Sequence, residues 1–141
     1  MNAIVRGSEK GGRVNDLSGH LKAFDALRRG TAQFLSAEAR ITDLRPKTPW
    51  PAWTRKKGVY VFVRQGKVVY VGRAIGAKGL GDRISCQLQS TEDPSWAEVV
   101  DDDSVVIHAY YLANDEEWPL ISALEAYLIR QFKPEFNKRA Q

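Results

Sequence analysis

GVYVFVR (residues 58–64), QG (65–66) and KVVYVG (67–72) form the stretch whose reading decides the fold. β-branched and aromatic residues fill both runs, and a turn dipeptide separates them, so the spacing predicts a β-hairpin with both faces buried. Its register depends on the turn. A two-residue loop at Gln65 and Gly66 puts Tyr60 and Tyr70 on opposite faces. A three-residue loop over Arg64, Gln65 and Gly66, with a left-handed Gly66 closing a bulge, sets Tyr60 directly opposite Tyr70, and glycine in the last loop position suits this second option. Two phenols then project from one face, where they can hydrogen-bond a water or a phosphate. Plain aromatic packing across the strands is the alternative.

Downstream of the hairpin comes the glycine-rich RAIGAKGLG (73–81), then a helix predicted over about 82–89. The acidic TEDPSWAEVVDDD (91–103) reads as turns, and VVIHAYYL (105–112) as a third strand. Asn114 and Glu117 have capping-box spacing and Pro119 fits a first turn, so a helix should run to about Phe132 and stop before Pro134. Upstream, Ser18 is placed to cap a helix over 19–29 that carries Leu21, Phe24, Ala26 and Leu27 and stops at Gly30. A second helix is expected over 32–40. Pro46, Pro49 and Pro51 then break regular structure. The expected fold is α+β: a small three-stranded, mainly antiparallel sheet flanked by helices, with an N-terminal helical extension. The organisation divides at Gly58, with a basic helical extension and linker over 1–57 and the sheet domain over 58–141.

Charge is uneven along the chain. Of the 141 residues, 1–57 hold 12 Lys and Arg against 5 Asp and Glu (+7), whereas 58–141 hold 9 against 12 (−3). Positive segments attract phosphate backbones through counterion release, although the net +4 is modest. In the linker, Lys47, Trp50, Trp53, Arg55, Lys56 and Lys57 interleave charge with aromatic rings, a pattern that can hold nucleic acid. The alternative is that both Trp rings pack the linker onto the main domain while the charged side chains are solvated. One cysteine, Cys86, excludes an internal disulfide framework and a Cys-rich zinc site. No run of 18 apolar residues occurs, and MNAIVRGSEKGGR lacks the apolar stretch of a signal peptide. The expectation is a soluble cytoplasmic protein with no membrane partner; its oligomeric state is not readable.

Several side chains can carry chemistry. Glu125 lies beside the apolar arc of Leu120, Ile121, Leu124, Leu128 and Phe132, where an acid is costly to desolvate. It must reach solvent, find a partner or coordinate a cation, and hard divalent ions prefer such carboxylates. Arg83 and Gln87 stand four apart on one helix face. The Arg83 guanidinium has the fork geometry for two phosphate oxygens and can stabilise transition-state charge without changing protonation. The glycine stretch fails as a nucleotide loop, because its order is GAKGLGDR rather than a Walker or Rossmann spacing. His20 and His108 are isolated and read as structural, and nothing beside Cys86 resembles a His-assisted nucleophile.

Together these residues resemble the GIY-YIG nuclease family. Gly58-Val59-Tyr60 stands as the first triplet and Tyr70-Val71-Gly72 as the second. Arg83 follows on the next helix, Glu125 on a later one within LEAYLIRQF, and Asn137 within KPEFNKR, over about residues 58–139. The resemblance implies an endonuclease that hydrolyses DNA phosphodiester bonds, double-stranded DNA foremost, with one divalent cation, Mg²⁺ or Mn²⁺. By the same carry-over Glu125 is the metal ligand, Tyr60 activates or positions the attacking water, and Tyr70 orients substrate or water. Arg83 binds the scissile phosphate and Asn137 holds the site by hydrogen bonds. Arg73, Lys78 and Gln87, with Arg55, Lys56 and Lys57, are the expected DNA contacts. Val replaces Ile in both triplets, a mild change. At Gln87 many members carry His or Tyr, and a glutamine amide supplies no titrating group there. A non-catalytic nucleic-acid-binding relative and a protein-interaction scaffold are the rival readings.

Overall fold

The computed structural model describes residues 15–28, 34–46, 49–90 and 92–137. It contains helices α1 (Asn15–Arg28), α2 (Gly79–Gln89), α3 (Pro94–Val100) and α4 (Trp118–Phe132), and strands β1 (Leu35–Arg40), β2 (Gly58–Arg64), β3 (Lys67–Ala74) and β4 (Val106–Tyr111). The strands form one sheet in the order β1-β4-β2-β3, with every neighbouring pair antiparallel. The α+β class is as expected, but the sheet has four strands rather than three.

The fourth strand is the largest correction to the sequence reading. LSAEAR, expected as part of a helix over 32–40, is β1, paired with β4 from Leu35↔Tyr111 to Arg40↔Val106. Its Ala, Glu and Arg favour helix in isolation, and the open edge of β4 overrides that weak preference. Residues 32 and 33, the helix stop at Gly30, and Lys47 lie outside the described residues. α3 is a second correction: it lies within the segment read as turns and is capped by Asp93, whose side chain accepts from the Ser95 N–H at 2.9 Å, with Pro94 in the first turn. α1 starts at Asn15, so Ser18 lies inside it and does not cap it. The earlier start brings Leu17, 1% exposed, into the core.

Each sheet face carries its own core. Val59, Val61 and Val71 pack with α1 and α4 through Leu17, Phe24, Ile121, Leu124 and Leu128. Tyr60, Phe62, Ile107 and Ala109 pack with Leu80, Ile84, Trp96 and Val99 of α2 and α3, and with Ile41 and Leu44. All of β2 except Arg64 is buried, as the unbroken apolar run implies. Trp50 and Trp53 pack against the second core, and Trp50 Nε1 donates to the Arg45 carbonyl at 3.1 Å. The rings of the linker therefore serve packing.

Candidate active site

The hairpin turn contradicts the expected loop and the expected direct pairing of the tyrosines, yet it leaves both on one face. Arg64 pairs with Lys67 across the two-residue loop Gln65–Gly66, whose φ values are 54° and 77°, the left-handed pair that a tight hairpin turn requires. Beyond Val63↔Val68 the register shifts to Phe62↔Tyr70, leaving Val69 as the extra residue of a bulge. Without it the two tyrosines would face apart. With it, Tyr60 stands opposite Gly72 rather than Tyr70, and the two rings lie diagonally on one face with centroids 6.0 Å apart. Gly72 is required by this arrangement: a Cβ there would lie 2.4 Å from Tyr60 Cζ and 2.5 Å from its hydroxyl. The second triplet ends in glycine because the end of the Tyr60 ring occupies that space.

Tyr60 is 1% exposed, and burial is the main reason its hydroxyl is held well above the ordinary phenol range; Tyr70 raises it further and the Arg83 charge opposes. Tyr70 is also raised, chiefly by burial, but interaction with the Tyr60 hydroxyl and Arg83 pulls it down. The two phenols thus act on each other, and the Arg83 charge acts on both. Both phenols are neutral hydrogen-bonding groups at neutral pH. Trp96 and Phe136, which the sequence reading did not single out, complete the wall: Trp96 sits 5.5 Å from Tyr70 and 5.1 Å from Phe136 between ring centroids. The Asp93 cap and Pro94 that start α3 were the available signal for Trp96.

Glu125 projects from α4 with its side chain 19% exposed, and Oε1 lies 3.4 Å from Arg73 Nη1. The same Arg73 nitrogen donates to Ser122 Oγ at 3.3 Å. Burial raises the Glu125 carboxyl above the usual range, with Arg73 acting against it. Arg83 is exposed on α2, and the charges of Arg83 and Glu125 both act on Tyr60 and Tyr70. Four elements, β2, β3, α2 and α4, thus bring Tyr60, Tyr70, Arg83 and Glu125 into one electrostatic site, with Arg73 beside the carboxylate.

Asn137 is placed differently, on the outer edge of β3. Its Oδ1 accepts from the Val71 N–H at 2.8 Å and its Nδ2 donates to the Val71 carbonyl at 2.7 Å, while Phe136 N–H donates to the Val69 carbonyl at 3.1 Å. One amide side chain thus stands in for a missing neighbour strand at the middle residue of Tyr70-Val71-Gly72. Of the remaining expected DNA contacts, Gln87 lines a cleft of about 560 Å³ beside Tyr70, with Glu92, Asp93 and Glu135 also in its wall. Arg55 and Lys56 meet the start of α2 next to Lys78: Gly79, at φ 75°, would bring a Cβ to 2.7 Å of the Arg55 carbonyl, and Leu80 N–H donates to the Lys56 carbonyl at 2.8 Å. Lys57 follows at the entry to β2.

His20, expected to be structural, packs edge-on against Tyr127 and Phe132. No described helix is long and apolar enough to cross a membrane.

No family model and no curated protein matches the chain. Among solved structures it matches two tyrosine-to-phenylalanine variants of the GIY-YIG N-terminal endonuclease domain of UvrC from Thermotoga maritima, each bound to its catalytic divalent cation. The identities are 26% and 25% and the TM-scores 0.46 and 0.45, each alignment covering 61% of this chain and 87% of that domain. In its residue pattern and among solved structures alike, the chain is similar to the GIY-YIG endonuclease domain.

Proposed function

We propose that this protein is a divalent-metal-dependent endonuclease that hydrolyses DNA phosphodiester bonds. The observation that carries the reading is the meeting of two neutral phenols, a guanidinium and a half-buried carboxylate from four separate elements. Among the described residues no group of three or more His, Cys, Asp and Glu side chains comes together, and Glu125 is the carboxylate that would hold a cation at this site. That donor set fits a hard cation such as Mg²⁺ or Mn²⁺, which keeps several waters and is held by one or two carboxylates together with substrate phosphate oxygens. When bound, the cation supplies positive charge at the phosphate and a more acidic water.

The chain's own groups do the rest. Arg83 pairs with two phosphate oxygens and meets the charge that develops on them. Tyr70 offers its hydroxyl to a water or phosphate oxygen and orients it. Tyr60 stands beside it on the same face, the ring centroids 6.0 Å apart. Arg73 holds the Glu125 carboxylate in place and offers a further cation to the strand.

The test is nicking of supercoiled plasmid. Activity should require Mg²⁺ or Mn²⁺ and disappear in Glu125→Ala with the circular dichroism spectrum retained. Full activity in EDTA, or in Glu125→Ala, would refute the reading. Arg83→Ala should slow single-turnover cleavage ~100-fold.

A further inference from the structure

Three of the four tryptophans are used in packing: Trp96 is buried, and Trp50 and Trp53 lie against the second core. Trp118 belongs to neither core and is 46% exposed at the start of α4. Its position along the helix gives it meaning. Trp118, Ser122 and Glu125 follow at spacings of four and three residues and so share one helix face. Arg73 Nη1 touches both Ser122 and Glu125, which ties that face to the carboxylate and to the end of β3. At 1.5 Å per residue the indole stands about 10 Å along the helix from Glu125. That is the rise of about three nucleotides of one strand in a duplex.

We infer that Trp118 is a stacking platform for an unpaired base on the strand bound at Glu125, and that the preferred substrate is DNA with unpaired nucleotides next to the cut. This rests on the nuclease reading above. Electrostatics selects the side on which the strand lies. On the Tyr70 and Gln87 side the cleft wall carries Glu92, Asp93 and Glu135, which repel phosphates, whereas the α4 side offers Arg73. Next to Trp118 itself stand Glu116 and Glu117, so a backbone phosphate is unwelcome at the indole and a neutral base is not. Inside an intact duplex both faces of every base are covered by its neighbours. An exposed indole therefore gains a stacking partner only where bases are unpaired or at an end.

The test measures binding by fluorescence anisotropy in EDTA, using a blunt duplex with hairpin-closed ends and the same duplex carrying an internal loop of unpaired bases. Trp118→Ala should weaken binding to the looped DNA roughly tenfold and leave the closed duplex unchanged. Trp118→Phe should keep most of the affinity, because stacking needs only an aromatic face. The slope of log affinity against log salt should be the same in wild type and Trp118→Ala, since no phosphate contact is lost, whereas Arg73→Ala should flatten it by about 0.7–0.9. An equal loss on both DNAs, or no loss on the looped DNA, would overturn the inference. The nuclease reading fails separately: if neither DNA is cut with Mg²⁺ or Mn²⁺, that reading falls, while the difference between the two DNAs still decides the role of Trp118.

Discussion

Replacing Gly72 by alanine isolates the contact that joins the two triplets. The new Cβ would lie 2.4 Å from Tyr60 Cζ, 2.5 Å from its oxygen and 2.8 Å from Cε1. Carbon pairs rest at about 3.5–4.0 Å, so the overlap exceeds 1 Å and one partner must move. Tyr60 has little room to do so, since it is 1% exposed and has Phe62 and Tyr70 with ring centroids at 6.1 and 6.0 Å. Overpacking of a filled core costs about 1–3 kcal/mol, and a rigid buried ring places this case at about 3. For a chain of this size that lowers the melting temperature by about 10 °C. Urea denaturation and a thermal melt of Gly72→Ala give the value. A double-mutant cycle with Tyr60→Leu, which removes Cε1, Cζ and the hydroxyl, gives the cause. Alanine at 72 should be nearly neutral in the Tyr60→Leu background, a coupling of about 2 kcal/mol or more. If Gly72→Ala costs less than about 0.5 kcal/mol, or if the two substitutions add, the steric account of the second triplet is wrong.

Asn137→Ala should leave both peptide groups of Val71 unpaired and cost about 1–3 kcal/mol for each, read by urea denaturation and by faster amide exchange at Val71; an unchanged exchange rate there would contradict the clamp. His108 is depressed mainly by burial, with Glu38 across the β1–β4 pair opposing. Its folded form therefore binds fewer protons than the unfolded chain, so stability is full above pH ~6.5 and falls as pH drops through the folded value. His108→Gln should flatten the denaturation midpoint against pH in that window, and an unaltered profile would remove His108 from the balance. Deleting residues 1–50 removes β1 and the core side chains Leu17, Phe24, Ile41 and Leu44, so the cooperative melt should be lost; a truncated chain that melts like the full one would show that this segment is dispensable to the fold.

The hairpin, β4 and α4 were legible because each carries a strong local pattern: alternating or unbroken β-branched runs, and an apolar arc with Pro119 in its first turn. The capping expected from Asn114 and Glu117 is not used, since α4 starts without a side-chain cap and Asn114 accepts from the Glu116 N–H instead. Glu125 was legible for the converse reason, an acid beside such an arc, and the structure gives it a partner, Arg73. β1 was hidden because its six residues have no strand preference of their own and acquire one only against the edge of β4. The register of the tyrosines was hidden more deeply. Gly66 announces a left-handed turn residue, and so it is, but the bulge at Val69 that brings Tyr60 and Tyr70 to one face leaves no local mark in VVYVG. The extra basic charge of residues 1–57 was legible as a number only; that α1 sinks Leu17 and Phe24 into the core depends on α4, about a hundred residues downstream.

Chain synthesis gives the Asn137 clamp a meaning in time. Val71 is made 66 residues before the side chain that caps it, an interval of roughly 3–13 s at the usual pace of translation. A hairpin closes in about 1–10 μs, so β2 and β3 can pair long before the cap exists. Throughout that interval the outer edge of β3 presents an unpaired peptide group at Val71 in a run of valines, a template on which a neighbouring nascent chain can add a strand. Ribosomes stalled between β3 and residue 137 would thus leave this edge open, and the Asn137 amide, together with Phe136 N–H on the Val69 carbonyl, closes the outer side of the tyrosine strand to intermolecular pairing.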